Sequence, residues 1–93
     1  MNDHTNKPRV LNRRTDGIPL GAVYVGRPTE WGNPYRIGGA MSRGLAVYKY
    51  LQLVKRDPEM MERAKAVLRG KDLVCWCAPK PCHADVLLEV AND

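Results

Sequence analysis

The 93-residue sequence lacks any long apolar segment, since no run approaches the roughly 20 residues that a membrane-spanning helix requires. Residues 1–14 are polar and basic and have no hydrophobic signal segment behind them. The chain is also too short for a second domain, which excludes a multidomain enzyme. These absences predict one small cytoplasmic domain with no membrane partner, and they leave its oligomeric state open.

Aromatic residues are few, at 6%, and no block of Lys and Arg is long. The formal net charge of +5 is nevertheless uneven, because residues 1–56 carry +7 and residues 57–93 carry −2. The basic half is therefore a candidate surface for phosphates or an acidic partner. Ordinary solubilising charge is the alternative interpretation.

Two apolar runs predict buried strands, one at 22–26 and one at 72–77. The first, which ends at a glycine, is expected to be the central strand. Val10 and Leu11 predict a short edge strand. Strands separated by a helical crossover are usually parallel, so these two are expected to be neighbours.

Helical periodicity follows Ser42, which is available as an N-cap, and the predicted apolar stripe is Val47, Tyr48, Leu51 and Val54. Asp57 and Pro58 predict the start of a second helix, and Gly70 predicts its C-terminal end. A third helix is predicted at the end of the sequence. The predicted class is α/β, a small single domain with a short, mostly parallel sheet flanked by about three helices. A flexible basic arm is expected at 1–14, with residues 1–8 as its loosest part, and the domain at 15–93.

The strongest chemical signal is a C-x-C-x₄-C-H arrangement formed by Cys75, Cys77, Cys82 and His83. Residues i and i+2 of a strand point to the same side, so Cys75 and Cys77 are expected to project together. A short proline-containing loop can then return the other two residues toward them. Three clustered cysteines also suit thiol or metal chemistry in a reducing compartment better than a disulfide framework.

Three interpretations of this cluster stay open. The first is a Cys₃His zinc site, although Cys82 and His83 are adjacent and would point roughly 100° apart on a helix. An iron–sulfur centre uses similar ligands, but the spacing of these residues fits it less well. The second is a metal-free pocket in which Cys82 or His83 begins a helix, where backbone N–H groups favour thiolates and anions. The third is structural, with Cys75 and Cys77 as small buried side chains and His83 as a polar cap.

A loop rich in glycine and proline, residues 26–39, follows the first strand, where open α/β sheets place ligand-binding loops. Arg27 and Arg36 are candidates for binding phosphate, and Trp31 or Tyr35 could stack on a base. Asn33 could read a base edge or hold the turn. The loop matches neither the Walker A pattern nor G-x-G-x-x-G. The structural alternative places Trp31 in the core and leaves Asn33 to hold a turn.

If both strands are parallel, this loop and the cysteine loop leave the same edge of the sheet. We therefore expect one combined site that contains Arg27, Trp31, Asn33, Cys77, His83 and Asp85. Candidates for an acid, a base or a nucleophile are few and form no recognised constellation, so catalytic residues stay unassigned. These candidates are Glu30, Cys82, His83 and Asp85.

With these motifs identified, the chain resembles the family called domain of unknown function 4326, small proteins of bacteriophages and bacteria. The resemblance is carried by residues 23–28 leading into Trp31-Gly32-Asn33-Pro34-Tyr35, and by residues 70–77 with Pro81-Cys82-His83-Ala84-Asp85-Val86-Leu87. It covers most of residues 22–92. It implies a phage or prophage setting, and hence a bacterial host cell, more than it implies a reaction.

Two functional hypotheses follow. In the first, a pocket at the sheet edge binds a nucleotide-like or nucleic-acid ligand, with Arg27, Trp31, Asn33, Arg36 and Asp85 as ligand-binding residues and zinc as the candidate cofactor. In the second, a non-enzymatic phage effector binds and inactivates a host bacterial protein, through the basic half and the two tyrosines at 48 and 50. Exposure of Trp31, Cys77 and His83 in a common cleft favours the first.

Overall fold

The computed structural model describes residues 7–93. Most of the segment 1–8 that was expected to be a loose arm therefore lies outside the described residues. The boundary between an arm at 1–14 and a domain at 15–93 stays a prediction, although a strand of the sheet lies within the first of these ranges.

The sheet has three parallel strands: β1 (Val10–Asn12), β2 (Val23–Tyr24) and β3 (Leu73–Cys75). Their order is β1-β3-β2, and Leu73 pairs with Val10 on one side and with Val23 on the other. The predicted edge strand and the predicted parallel pairing of the two apolar runs are confirmed. The prediction that the first run is central is wrong, because β3 lies between its two neighbours and is buried along its whole length.

Four helices complete the domain: α1 (Arg13–Asp16), α2 (Arg43–Lys55), α3 (Pro58–Leu68) and α4 (His83–Asn92). Both predicted caps are confirmed, since Ser42 Oγ accepts a hydrogen bond from the Leu45 amide and Asp57 Oδ1 accepts one from the Met60 amide, each at 3.1 Å. Pro58 occupies the first helical position of α3. The fold is a single α/β domain, as the sequence predicts.

The core lies where α2, α3 and α4 pack against one another and α4 packs against β1 and β3. The buried face of α2 is formed by Ala46, Tyr50 and Val54, with Val47 and Leu51 partly buried. Tyr48 is 57% exposed, so its place in the predicted apolar stripe is wrong. Ala46, Tyr50 and Val54 follow one another at intervals of about one helical turn, and this row faces the core. It shares Val54 with the predicted stripe. No helix within residues 7–93 has the length and apolar character needed to cross a membrane.

The parallel arrangement positions the functional side chains. All three strands end at the same edge of the sheet, and each is followed there by a loop or a helix start. The glycine-rich loop follows β2, and the cysteine loop and α4 follow β3. Open parallel sheets bind their ligands at this edge.

Candidate functional site

A cleft of about 400 Å³ lies at the carboxyl ends of β2 and β3. Its walls come from the ends of both strands, the loop after β2, the first turns of α2 and the start of α4. The polar, aromatic and sulfur-containing side chains in these walls are Tyr24, Arg27, Asn33, Tyr35, Arg36, Arg43, Cys75, Trp76, Cys77, Cys82 and His83. Two segments far apart in sequence thus meet in one concave surface.

Asn33 holds the loop after β2 in place. Its side-chain oxygen accepts a hydrogen bond from the Tyr35 amide at 2.8 Å, and its Nδ2 donates to the Ala46 carbonyl of α2 at 3.2 Å. Arg27 Nε donates to the Asn33 carbonyl at 2.8 Å, which closes the loop on itself. Asn33 is buried, and its side-chain oxygen and nitrogen both have partners within the protein, so it holds the turn. Its base-reading role stays a prediction.

Trp31 lies inside the core and is 4% exposed. Its carbonyl accepts a hydrogen bond from the buried Tyr50 hydroxyl at 2.7 Å. The stacking role expected of Trp31 is therefore unavailable, since a base needs an open ring face. Its residue type and its place in a glycine-rich loop suited a ligand contact, but no periodicity in a loop reveals which way a side chain points.

Three arginines line the cleft. Arg27 and Arg36 are exposed on the loop after β2, and Arg43 begins α2. Arg43 Nη1 contacts the Pro81 carbonyl at 3.3 Å, which joins α2 to the cysteine loop. Sequence reasoning missed Arg43; the signal that could have found it is its place in the first helical turn after the ligand-binding loop.

None of these arginines forms an ion pair with an acidic side chain of residues 7–93. No Asp or Glu of the described residues lines the cleft. Within residues 7–93 a single ion pair forms between side chains, and it joins Arg63 to Glu30, outside the cleft. Guanidinium groups therefore outnumber carboxylates in the walls of the cleft, and this excess of positive charge favours an anionic ligand.

Aromatic rings form another wall, and two of them were not predicted. Trp76 Nε1 donates to the Tyr24 hydroxyl at 2.9 Å, and that hydroxyl donates to the Arg27 carbonyl at 2.8 Å. Trp76 is 54% exposed although it lies between two cysteines of the cluster. Alternation along a strand could have indicated this, because it predicts that Trp76 points to the side opposite Cys75 and Cys77. Tyr35, a predicted stacking residue, lines the cleft and has the Lys49 ammonium 5.7 Å from its ring centroid.

The three cysteine sulfurs meet at the floor of the cleft, all within 4.8 Å of one another. Cys75 Sγ and Cys82 Sγ are 2.9 Å apart and share a hydrogen bond. The hydrogen bond from Cys82 lowers the pKa of the Cys75 thiol below its ordinary value. The pKa of Cys82 is raised, first because its S–H donates to Cys75 and then because it is buried. The pair thus favours sharing one proton, with Cys75 as the more acidic of the two thiols.

His83 lies outside this sulfur cluster. Its Nε2 is 2.7 Å from the Val25 carbonyl, which can only accept a hydrogen bond, so Nε2 carries the proton. Burial lowers the pKa of His83, the Val25 hydrogen bond opposes this shift, and the Arg27 charge adds to it. The predicted fourth metal ligand is therefore a neutral imidazole engaged elsewhere. Cys82 has an extended backbone at the N-cap of α4, whereas His83 is the first helical residue and its ring is held at the Val25 carbonyl, which is the physical reason for this correction.

Asp85 does not line the cleft. Its Oδ2 accepts a hydrogen bond from the Cys82 amide at 2.9 Å, at the first turn of α4. This carboxylate caps the helix that carries His83, a structural role in place of the predicted ligand contact. Glu30, another candidate for an acid or base, forms an ion pair with Arg63.

The expected convergence of the two loops is thus found for four of the six residues. Arg27, Asn33, Cys77 and His83 line one cleft, whereas Trp31 is in the core and Asp85 caps a helix. Both exceptions come from segments correctly placed at the edge of the sheet. Trp31 packs into the core, where distant helices bury it, and Asp85 bonds back to the start of its own helix.

Comparisons with known proteins give two matches. The model of the family described as "Domain of unknown function (DUF4326)" matches residues 10–93. A relative from Enterobacteria phage T4, named "Uncharacterized 12.4 kDa protein in nrdA-td intergenic region", is 38% identical over 87 residues, which cover 90% of this chain and 77% of the phage protein. No solved structure matches the chain.

Proposed function

Because this chain belongs to the DUF4326 family and is a small phage-type protein, we propose its function from the geometry of its cleft: it binds a nucleotide-like or nucleic-acid ligand at the carboxyl edge of its sheet. The family resemblance noted from the motifs is confirmed by the match over residues 10–93. Neither match carries a ligand, so the proposal depends on the residues of the cleft.

The observation that carries the proposal is the set of three arginines, none of which is paired with a carboxylate of residues 7–93. Arg27, Arg36 and Arg43 come from two different elements and line one concave surface. Guanidinium groups bind phosphate through paired N–H donors, and clustering three of them costs repulsion that a bound anion would relieve. Such an arrangement supports a phosphate-bearing ligand.

The remaining walls suit a base and a sugar. Tyr24, Tyr35 and Trp76 provide aromatic surface next to the arginines. Aromatic rings accept stacked bases at about 1–3 kcal/mol per base. A cleft of about 400 Å³ also lies within the range of roughly 300–1,000 Å³ that holds small organic ligands. Charge and stacking surface together favour a nucleotide over inorganic phosphate.

Calorimetric titration with nucleoside mono-, di- and triphosphates tests this proposal, with inorganic phosphate as the reference ligand. Arg36→Gln and Arg43→Gln should each weaken binding about tenfold or more, because a charge-assisted hydrogen bond contributes roughly 1.5–3 kcal/mol. Arg56→Gln is the matched control, since Arg56 is exposed at the end of α2 and does not line the cleft. Absence of nucleotide binding at millimolar concentration, or equal affinities for all three variants, would contradict the proposal.

A second candidate function, zinc binding, is favoured by the sulfur cluster. A tetrahedral site with Zn–S bonds of about 2.3 Å separates its sulfurs by about 3.8 Å, and the three cysteine sulfurs already lie within 4.8 Å of one another. Zinc would replace the proton that Cys75 and Cys82 share and would separate these two sulfurs. We propose Cys75, Cys77 and Cys82 as its ligands, without His83. Three thiolates leave one coordination position of a four-coordinate ion to a cleft molecule.

Elemental analysis of protein purified under reducing conditions tests the zinc site. About one zinc per chain is expected, lost in Cys77→Ser and kept in His83→Gln, whose amide can still donate to the Val25 carbonyl. Lys80→Ser, an exposed position in the same loop, serves as the control for general disturbance. Protein that is isolated free of zinc and takes up none on titration would refute this candidate.

The alternative function, binding and inactivating a host bacterial protein, stays a prediction. Of the two tyrosines assigned to its interaction patch, Tyr48 is exposed and Tyr50 is fully buried, so the patch would depend on Tyr48. For either function we propose the cytoplasm of the bacterial host cell as the place of action. The three free cysteines support this, because a reducing compartment keeps such thiols available.

A further inference from the structure

An arginine outside the cleft lies against its aromatic wall. The guanidinium carbon of Arg13, the first residue of α1, is 5.5 Å from the ring centroid of Tyr24 and 5.6 Å from that of Trp76. Both distances are within the range of a cation–π interaction. The two rings are themselves joined by the Trp76 Nε1 hydrogen bond to the Tyr24 hydroxyl. Three side chains from three elements thus form one continuous surface, the Arg13–Tyr24–Trp76 platform.

The platform continues the cleft in the direction of β1. Tyr24 and Trp76 line the cleft, whereas Arg13 does not. The connection follows from the topology: β1, β3 and β2 are parallel, so α1 after β1 lies at the same edge as the loops after β2 and β3. A ligand longer than one nucleotide would therefore find aromatic surface and positive charge where it leaves the cleft.

The N–H donors of the Arg13 guanidinium are available for a ligand. Within residues 7–93 it makes no ion pair, and no hydrogen bond there uses its side chain. The neighbouring Arg14 is exposed as well. Two aromatic rings hold the Arg13 cation in position while its N–H groups stay available, an arrangement suited to a phosphate.

We infer that the cleft binds one nucleotide of a single-stranded nucleic acid, with Tyr35 as its stacking surface, and that the Arg13–Tyr24–Trp76 platform binds the next, with Arg13 on the phosphate between them. This inference rests on the proposed function and specifies its ligand class. A single strand fits because its unpaired bases are free to stack on exposed rings, which the bases of a duplex cannot do. Duplex readout by a helix in the major groove would require a long basic helix, and α1 has four residues.

Binding measured against strand length tests the inference. Thymidine monophosphate and deoxythymidine oligonucleotides of two, four and eight residues are titrated into the full chain, with a blunt DNA duplex for comparison. Affinity is expected to rise at least tenfold from the mononucleotide to the dinucleotide, and the oligonucleotides should quench the fluorescence of the exposed Trp76. Trp76→Phe keeps a ring for stacking and should lose that quenching.

The variant Arg13→Gln separates the platform from the cleft. It should leave the mononucleotide affinity within twofold of the unmodified chain and abolish most of the gain with length. It should also lower the slope of log affinity against log salt for the oligonucleotides by about 0.7, the value for one phosphate contact on a single strand. Arg56→Gln, away from both surfaces, should change neither quantity.

Three outcomes would overturn the inference. Equal affinity for mononucleotide and oligonucleotides would reject the platform and leave the proposed function intact. Duplex binding as tight as single-strand binding would show that charge alone attracts DNA. Failure of every nucleotide to bind would remove the inference together with the proposed function.

Discussion

The hydroxyl of Tyr50 donates a hydrogen bond to the carbonyl of Trp31 at 2.7 Å, in the interior of the domain. Tyr50 is completely buried on α2, and burial raises the pKa of its hydroxyl above the ordinary value, so it is a neutral donor at all physiological pH values. This bond connects α2 to the loop after β2. It therefore fixes the backbone of the segment that carries Arg27 and Arg36 to the cleft.

Tyr50→Phe should lower the free energy of unfolding by about 1–3 kcal/mol, because it leaves a buried carbonyl without its donor. Urea denaturation followed by circular dichroism measures this change. Tyr48→Phe is the matched control on the same helix, since its hydroxyl is on an exposed side chain, and it should have no effect. Equal stability of both variants would show that the Trp31 carbonyl finds another partner.

Gly26→Ala should disturb the aromatic wall of the cleft. A Cβ at Gly26 would lie 2.7 Å from Cζ of Tyr24, too close for the ring to keep its place. Displacing this ring breaks its bonds to Trp76 and to the Arg27 carbonyl, so the Trp76 emission spectrum should shift. Nucleotide binding should weaken by about 1–3 kcal/mol, the contribution of one stacked base.

The control for that variant is Gly44→Ala. Gly44 lies in α2, and a Cβ there would meet nothing within 4 Å. This change should raise stability by about 0.5–1 kcal/mol and leave the fluorescence of Trp76 unchanged. A Gly26→Ala protein with the spectrum and affinity of the unmodified chain would mean that Tyr24 is free to move without cost.

Asp85→Ala should lower stability by about 1 kcal/mol and leave nucleotide affinity unchanged, because Asp85 caps α4 and does not line the cleft. Thermal unfolding and calorimetric titration measure the two quantities on one sample. Glu89→Ala, an exposed acid on the same helix, controls for the loss of charge. Weaker binding with unchanged stability would restore Asp85 as a ligand-binding residue.

Removal of zinc should lower stability if the sulfur cluster binds it. At free zinc one hundred times its dissociation constant, the ion should add about 2.7 kcal/mol to the free energy of unfolding. A chelator should remove this increment from the unmodified chain and have no effect on Cys77→Ser. An unfolding curve that does not respond to zinc or chelator would argue against coordination by the three cysteines.

The sequence predicts what depends on periodicity and local chemistry. The alternation of Cys75 and Cys77 along a strand indicated two sulfurs on one side, and the structure places both in the cluster. Ser42 and Asp57 were recognisable as caps because capping needs only a short polar side chain before a helical run. Each of these features depends only on residues a few positions apart in the sequence.

The errors arise where the answer depends on distant segments. The apolar run at 22–26 was predicted to be central because such a run indicates burial on both faces, and Val25 is indeed fully buried. Burial of Val25 comes from the packed core and not from a second neighbouring strand, since β2 pairs with β3 alone. Trp31 is a similar case: its burial depends on Tyr50, nineteen residues away, and on helices whose packing no local pattern records.

The central position of β3 governs how the chain comes together during synthesis. Residues 10–12 and 23–24 leave the ribosome first, yet their ladder partner is residues 73–75. Until that segment emerges, neither early strand has a sheet to join, and long-range pairing of this kind slows folding. A chain terminated before Leu73 would carry two unpaired strand segments and no cysteine cluster, and proteases would meet it as an unfolded polypeptide. The sheet of this domain can therefore form only after the third strand has been synthesised.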